Sequence, residues 1–126
     1  MADVMNNIKS KYVKLLGTEP PFFTDSSYTI EQFASDLGTN RSYASKFVNE
    51  ELGVSFYTLL SKLRLAYFMK QKSNRDKICI SALAKKCGFS NDFSFRRAFK
   101  REYGKTPSEY LKEEIANEQK HALHGL

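Results

Sequence analysis

Residues 85–110 read KKCGFSNDFSFRRAFKREYGKTPSEY. Cations and four Phe are interleaved through this stretch. It is either a core helix with a solvated outer face or a surface that grips an anion. Helical spacing answers that it is both, on opposite faces. Phe95, Ala98, Phe99 and Tyr103 recur at the i, i+3, i+4, i+8 intervals of one helix face. Asp92, Phe93, Arg96, Arg97 and Lys100 fall on the other.

The stretch belongs to a repeat, and a repeat is the first thing to look for in a chain. EQFASDLG (31–38) matches SALAKKCG (81–88), with Ala34 over Ala84 and Gly38 over Gly88 at an offset of 50 residues. Downstream, FVNEELGVSFYTLL (47–60) matches AFKREYGKTPSEYL (98–111), with Gly53 over Gly104 at an offset of 51. The second copy therefore carries one extra residue between Gly88 and its next helix. Each copy reads as a short helix, a small residue, a glycine four positions on, a polar turn and a second helix. That is the order of a helix-turn-helix. Alanine at 34 and 84 lets the second helix cross closely, and Gly38 and Gly88 supply the positive φ of the turn.

The second helix of the first copy spans about 40–52. Ala44, Phe47, Val48 and Leu52 face inward, and Arg41, Ser42, Ser45, Lys46 and Asn49 face outward. Both outer faces hold the side chains that read a major groove: Arg bonds guanine, Asn bonds adenine, and Ser bonds several bases. Phe93 aligns with Ser42 and has two readings. It either points outward, where it meets a thymine methyl, or folds back as a core or staple residue. Asp92 reads as an early-helix acid favoured by the macrodipole. Ser55 and Thr106 follow a helix-ending glycine and read as N-caps, with Pro107 at a first helical position. With Lys105, they are the candidate phosphate contacts.

Between the copies, SFYTLLSKLRLAYFMKQKS forms one helix with apolar residues at 56, 59, 60, 63, 66, 67 and 69, closed by NRDK (74–77). Upstream, ADVMNNIKSKYVKLL places Val4, Ile8, Tyr12 and Leu15 or Leu16 on one stripe, and Gly17 ends it. TEPPFFTDSSY is a loop in which Asp25, Ser26 and Ser27 read as caps.

Composition narrows the class. The chain has 126 residues, 41% hydrophobic and 27% charged, with net charge +6 and a pI near 9.3. That balance fits a compact domain with an anionic partner. No apolar run reaches the length that crosses a bilayer, and the N-terminus lacks the apolar block of a signal peptide. Cys79 and Cys87 read as reduced, small core residues rather than a zinc pair or a disulfide framework. His121 and His124 are the only histidines; with no carboxylate or Cys at matching spacing they make no metal site. No phosphate-binding glycine loop and no catalytic constellation is present, so no enzyme and no cofactor is expected. Two further readings compete. The 17 aromatics could stack on RNA or single strands, but most recur at core spacing. A protein-interaction module is the other, built on the N-terminal helix and the acidic EYLKEEIANE flank.

The combination of Ala84, Gly88-Phe89, Ser90-Asn91, Phe95, Phe99-Lys100, Gly104, Thr106, Pro107 and Tyr110 resembles the signature of the AraC/XylS transcriptional regulators. The resemblance extends upstream through Arg64, Leu65 and Ala66 and covers about residues 28–112. The chain departs from the family pattern at Phe93-Ser94, where a small polar residue followed by an aromatic is usual. The resemblance implies an all-α, homeodomain-like fold of about seven helices. In it, two helix-turn-helix subdomains flank a long linker helix. The expected divisions are a connector helix and loop (1–27), the first helix-turn-helix (28–54) and the linker (55–74). The second helix-turn-helix with a C-terminal helix (75–118) and a flexible tail (119–126) complete them. It implies sequence-specific binding of double-stranded DNA in the cytoplasm of a bacterium. Carried over by position, the base-facing residues are Ser42, Ser45, Lys46, Asp92, Phe93, Arg96 and Arg97. RNA polymerase and an upstream sensor domain are the further partners it implies.

Overall fold

The computed structural model describes residues 2–72 and 79–124. Seven α-helices account for most of them: α1 (Ala2–Leu16), α2 (Ile30–Asp36), α3 (Arg41–Lys46), α4 (Phe56–Gln71), α5 (Ile80–Lys86), α6 (Asp92–Tyr103) and α7 (Pro107–His124). A 3₁₀ turn spans Phe22–Thr24, and a π-helical turn, Phe47–Glu51, extends α3. No strand occurs among the described residues. The stretch 74–77, expected to close the linker helix, lies outside them. The segment 119–126, expected as a flexible tail, is helical through His124.

Local chemistry sets the helix ends. Asn40 caps α3 by accepting from Tyr43 N at 2.9 Å, and Asn91 caps α6 by accepting from Ser94 N at 2.8 Å. Ser55 caps α4 through Thr58 N at 3.2 Å. Thr29, not the 25–27 stretch, caps α2, in a reciprocal capping box with Gln32. Asp25 instead holds the turn, accepting from Ser27 N at 2.9 Å. Gly38 and Gly88 adopt φ of 66° and 114°. The chain then turns back, with Thr39 N on Ala34 O and Phe89 N on Ala84 O. These bonds satisfy carbonyls that each helix end leaves open.

Two apolar cores form. The first gathers Ile8, Tyr12, Phe33, Leu37, Ala44, Phe47 and Val48 with Phe56, Leu59 and Leu60 of α4. The second gathers Ala84, Cys87, Phe89, Phe95 and Phe99 with Leu65 and Phe68 of α4. Phe89 makes the same turn bond as Thr39 and is a core residue, so the extra residue of the second copy is Ser90, between Phe89 and the cap Asn91. So α4 buries one face at its start and another at its end, roughly 150° apart at 3.6 residues per turn. Ala66, one of the apolar residues read along this helix, is exposed, whereas Leu65 and Phe68 are buried. Cys79, expected in the core, is exposed; Cys87 is buried.

Alpha1 contributes Ile8 and Tyr12 to the first core. It stands to α2 and α3 as α4 stands to α5 and α6. A Cβ on Gly38 would lie 2.5 Å from Lys11 Nζ of α1, and a Cβ on Gly88 2.6 Å from Arg64 Nε of α4. Each helix-turn-helix therefore has a preceding helix that lays a basic side chain over its turn glycine.

Candidate nucleic-acid interface

Burial of one face decides what the other presents. In α3 and its π turn, Ala44, Phe47 and Val48 are buried. Arg41, Ser42 and Asn49 are exposed, and Ser45 and Lys46 half-buried. These five outward residues, with Glu50, line one open hollow of about 430 Å³. In α6, Phe95 and Phe99 are buried, while Asp92, Phe93, Arg96, Arg97 and Lys100 are exposed. Phe93 is 72% exposed, which selects the outward of its two readings. A second hollow, of about 460 Å³, is lined by Phe93, Arg96, Arg97, Lys100, Arg101 and Thr106. Neither hollow is covered by another part of the described chain. Glu50 and Arg101 are the lining residues that the sequence reading omits. Both stand one position beyond a residue it includes.

The two hollows differ in chemistry. The first mixes two cations with Ser, Asn and a carboxylate. Within it Asn49 Nδ2 donates to Ser45 Oγ at 3.3 Å, and Arg41 pairs with Glu31 of α2 at 3.1 Å. The second contains four cations around an exposed ring. Among the described residues, neither Arg97 nor Lys100 takes part in an ion pair. Arg96 does, with Asp92 at 3.4 Å. Asp92 also accepts from the Ser81 hydroxyl at 2.7 Å. These bonds, Ser81's first and then the Arg96 guanidinium, hold the Asp92 carboxyl below the usual carboxylate range. With both carboxylate oxygens engaged, Asp92 orients Arg96 rather than facing outward on its own.

The phosphate candidates are partly committed within the chain. Ser55 and Thr106 accept from the backbone of their own helices, and Lys105 Nζ pairs with Glu113. Thr106 nevertheless lines the second hollow beside the cations. Among the described residues no group of three or more His, Cys, Asp or Glu is placed to hold a metal. The side chains of His121 and His124 lie outside the described set. No described helix is long and apolar enough to cross a membrane.

The sequence and the fold match those of known proteins. A helix-turn-helix domain family matches residues 33–113. The chain is 31% identical over 84 residues to the RCS-specific HTH-type transcriptional activator RclR of Escherichia coli, covering 67% of this chain and 29% of that protein. It is 29% identical over 90 residues to the Msm operon regulatory protein of Streptococcus mutans, covering 70% and 31%. The chain thus spans about three tenths of the length of these relatives. Among solved structures, the C-terminal domain of AraT, a response regulator from Geobacillus stearothermophilus, superposes with a TM-score of 0.69 at 25% identity. That match covers 85% of this chain and 84% of the other. A DNA-binding transcriptional dual regulator from Escherichia coli K-12 shares the fold, with a TM-score of 0.64 over 90% of this chain and 93% of that one. With its tandem helix-turn-helix units and this match, the chain belongs to the AraC-type helix-turn-helix family of DNA-binding transcriptional regulators.

Proposed function

We propose that the chain reads double-stranded DNA with α3 and α6 in successive major grooves of one duplex. One observation carries the reading. At equivalent positions of the two units, the outward face of the second helix is an uncovered hollow lined by cations and hydrogen-bonding side chains. Arg41, Ser42, Ser45, Lys46 and Asn49 address bases in the first groove. Phe93, Arg96, Arg97 and Lys100 address them in the second, with Asp92 positioning Arg96. Ser55, Lys105 and Thr106 lie by the backbone.

Length is compatible. The 16 residues of α4 make a rod of about 24 Å at ~1.5 Å rise per residue. Successive groove faces are about 34 Å apart, so the rod alone falls roughly 10 Å short of that separation. A modest bend of the duplex closes the difference, at roughly 1–6 kcal/mol. The two hollows are lined by different residues, so a single chain addresses an asymmetric site. Phosphate contacts supply most of the affinity and make it fall steeply with salt.

Selection of bound sequences from a random duplex pool tests this. Two motifs separated by about one helical turn are expected. A single short motif would mean that only one unit reads bases. Equal binding to the separated strands, or to RNA, would remove the groove reading.

A further inference from the structure

We infer that Arg64 is a positioning residue that fixes the spacing between the two reading helices, and so the length of DNA between half-sites that the protein accepts. The inference rests on the bipartite reading above. The observation behind it is a joint, separate from both hollows, at which the first unit touches the second.

The joint has three parts. Arg64 leaves α4 between its two buried faces. Its Nε donates to Phe23 O at 2.7 Å, and one terminal nitrogen donates to Asp25 O at 3.0 Å. Both carbonyls belong to the 3₁₀ turn and C-cap ahead of α2. Tyr67, one turn further along α4, sets its ring edge-on to Phe23 at 5.6 Å and packs against both cores. Gly88, the turn glycine of the second unit, closes the joint from the other side. A Cβ there would stand 2.3 Å from the same Phe23 carbonyl and 2.6 Å from Arg64 Nε. The guanidinium is thus held between a loop of one unit and the turn of the other.

Each unit packs on its own face of α4, and the joint adds a direct contact between units, Gly88 against the Phe23 carbonyl. Two charge-assisted hydrogen bonds from one planar fork pin that carbonyl and its turn to α4 and so keep the contact in place. Lysine offers a single point charge and cannot reproduce the pair. Methionine keeps the apolar stem and removes both donors.

When two binding modules share one ligand, stiffness decides selectivity for spacing. A stiff connection gives a high effective concentration at one separation and little elsewhere, and a loose one a low, broad value. The Arg64 joint therefore predicts one sharply preferred separation in the wild-type protein. Loosening it flattens the profile without touching either reading surface.

The test uses the bipartite duplex selected by the wild-type chain. Affinity is measured on that duplex, on versions with one or two base pairs inserted or deleted between half-sites, and on each half-site alone. Wild type is expected to lose at least about tenfold off the preferred separation. Arg64→Lys and Arg64→Met are expected to lose affinity at the preferred separation, to show a flattened profile, and to keep wild-type affinity for each half-site. A second measurement reads the joint without DNA. Spin labels on Glu50→Cys and Ser94→Cys, in a Cys79→Ser background, should give one narrow distance that broadens in both Arg64 variants. Unchanged spacing profiles with an unchanged narrow distance would overturn the role of Arg64. Broadened distances beside a wild type indifferent to spacing would overturn the bipartite reading instead, and with it the link from joint to spacing.

Discussion

The Ser81 hydroxyl of α5 donates to Asp92 Oδ1 of α6 at 2.7 Å. The bond ties the first helix of the second unit to the start of its reading helix. Arg96 takes the other carboxylate oxygen. Because these partners favour the ionised form, the Asp92 carboxyl titrates below its ordinary value. A group with a depressed folded pKa stabilises the fold above its unfolded pKa and loses that contribution as pH falls through the folded one. An NMR titration should therefore give Asp92 a midpoint below the usual ~3.9. Ser81→Ala should move it upward, since it removes the largest cause. A midpoint unmoved by that change would mean the hydroxyl does not hold the carboxylate.

Phe93 and Phe95 stand two residues apart and should behave oppositely. Phe95 is buried against Phe68, Phe89 and Phe99, with ring separations of 4.9, 5.2 and 5.8 Å. Phe95→Ala should cost about 3–5 kcal/mol in denaturant unfolding. Phe93→Ala should stay within about 0.5 kcal/mol of wild type, because the ring is exposed. Its effect should appear in binding, as loss of preference for thymine at one position of the second half-site.

The contrast shows what a sequence can carry. Facing residues recur at fixed intervals, so the inward and outward sets of α3 and α6 were legible, as were the turn glycines and the caps at Ser55 and Thr106. Leu65 and Phe68 escaped because α4 serves two cores. The apolar pattern that begins with Phe56, Leu59 and Leu60 runs on to Ala66, which is exposed, and passes over both. Alpha1 escaped as the counterpart of α4 because Lys11 and Arg64 are 53 residues apart, while Gly38 and Gly88 are 50 apart. The unequal loops hide the match. Pairings across the fold, such as Arg64 with Phe23 O, leave no periodic trace. The π turn at 47–51, with Leu52 N on Phe47 O at 3.2 Å, also has no signal in spacing.

Arg97 and Lys105 separate reading from anchoring. Arg97 is exposed and makes no ion pair among the described residues, so its fork is available to a guanine edge. Arg97→Ala should cost about 1–3 kcal/mol on the preferred duplex and relax preference at one position. Lys105 already pairs with Glu113, so a phosphate must compete with that carboxylate. Lys105→Ala should weaken all sequences alike, by less than Arg97→Ala does. Glu113→Gln should strengthen binding slightly by releasing the ammonium. Affinities on singly substituted duplexes at two salt concentrations check both. Uniform weakening by Arg97→Ala would contradict its assignment.

Three of the four described glycines with positive φ rank by what surrounds them. Gly104 has φ 77° and nothing within 4 Å of an added Cβ. Gly104→Ala therefore carries only the left-handed backbone cost, about 1–2 kcal/mol. Gly38 has φ 66° and its near neighbour is the far end of Lys11. That chain swings away, so Gly38→Ala should cost little more than Gly104→Ala. Gly88 differs on both counts. Its φ of 114° lies outside the left-handed helical well, and the nearest atom is the Phe23 carbonyl oxygen at 2.3 Å, which is backbone. Either the 3₁₀ turn or the second unit must shift, and the Arg64 bonds go with it. Gly88→Ala should cost at least about 3 kcal/mol. Denaturant unfolding of the three variants measures the order directly. If Gly88→Ala proved as mild as Gly104→Ala, the two units would not meet at that carbonyl.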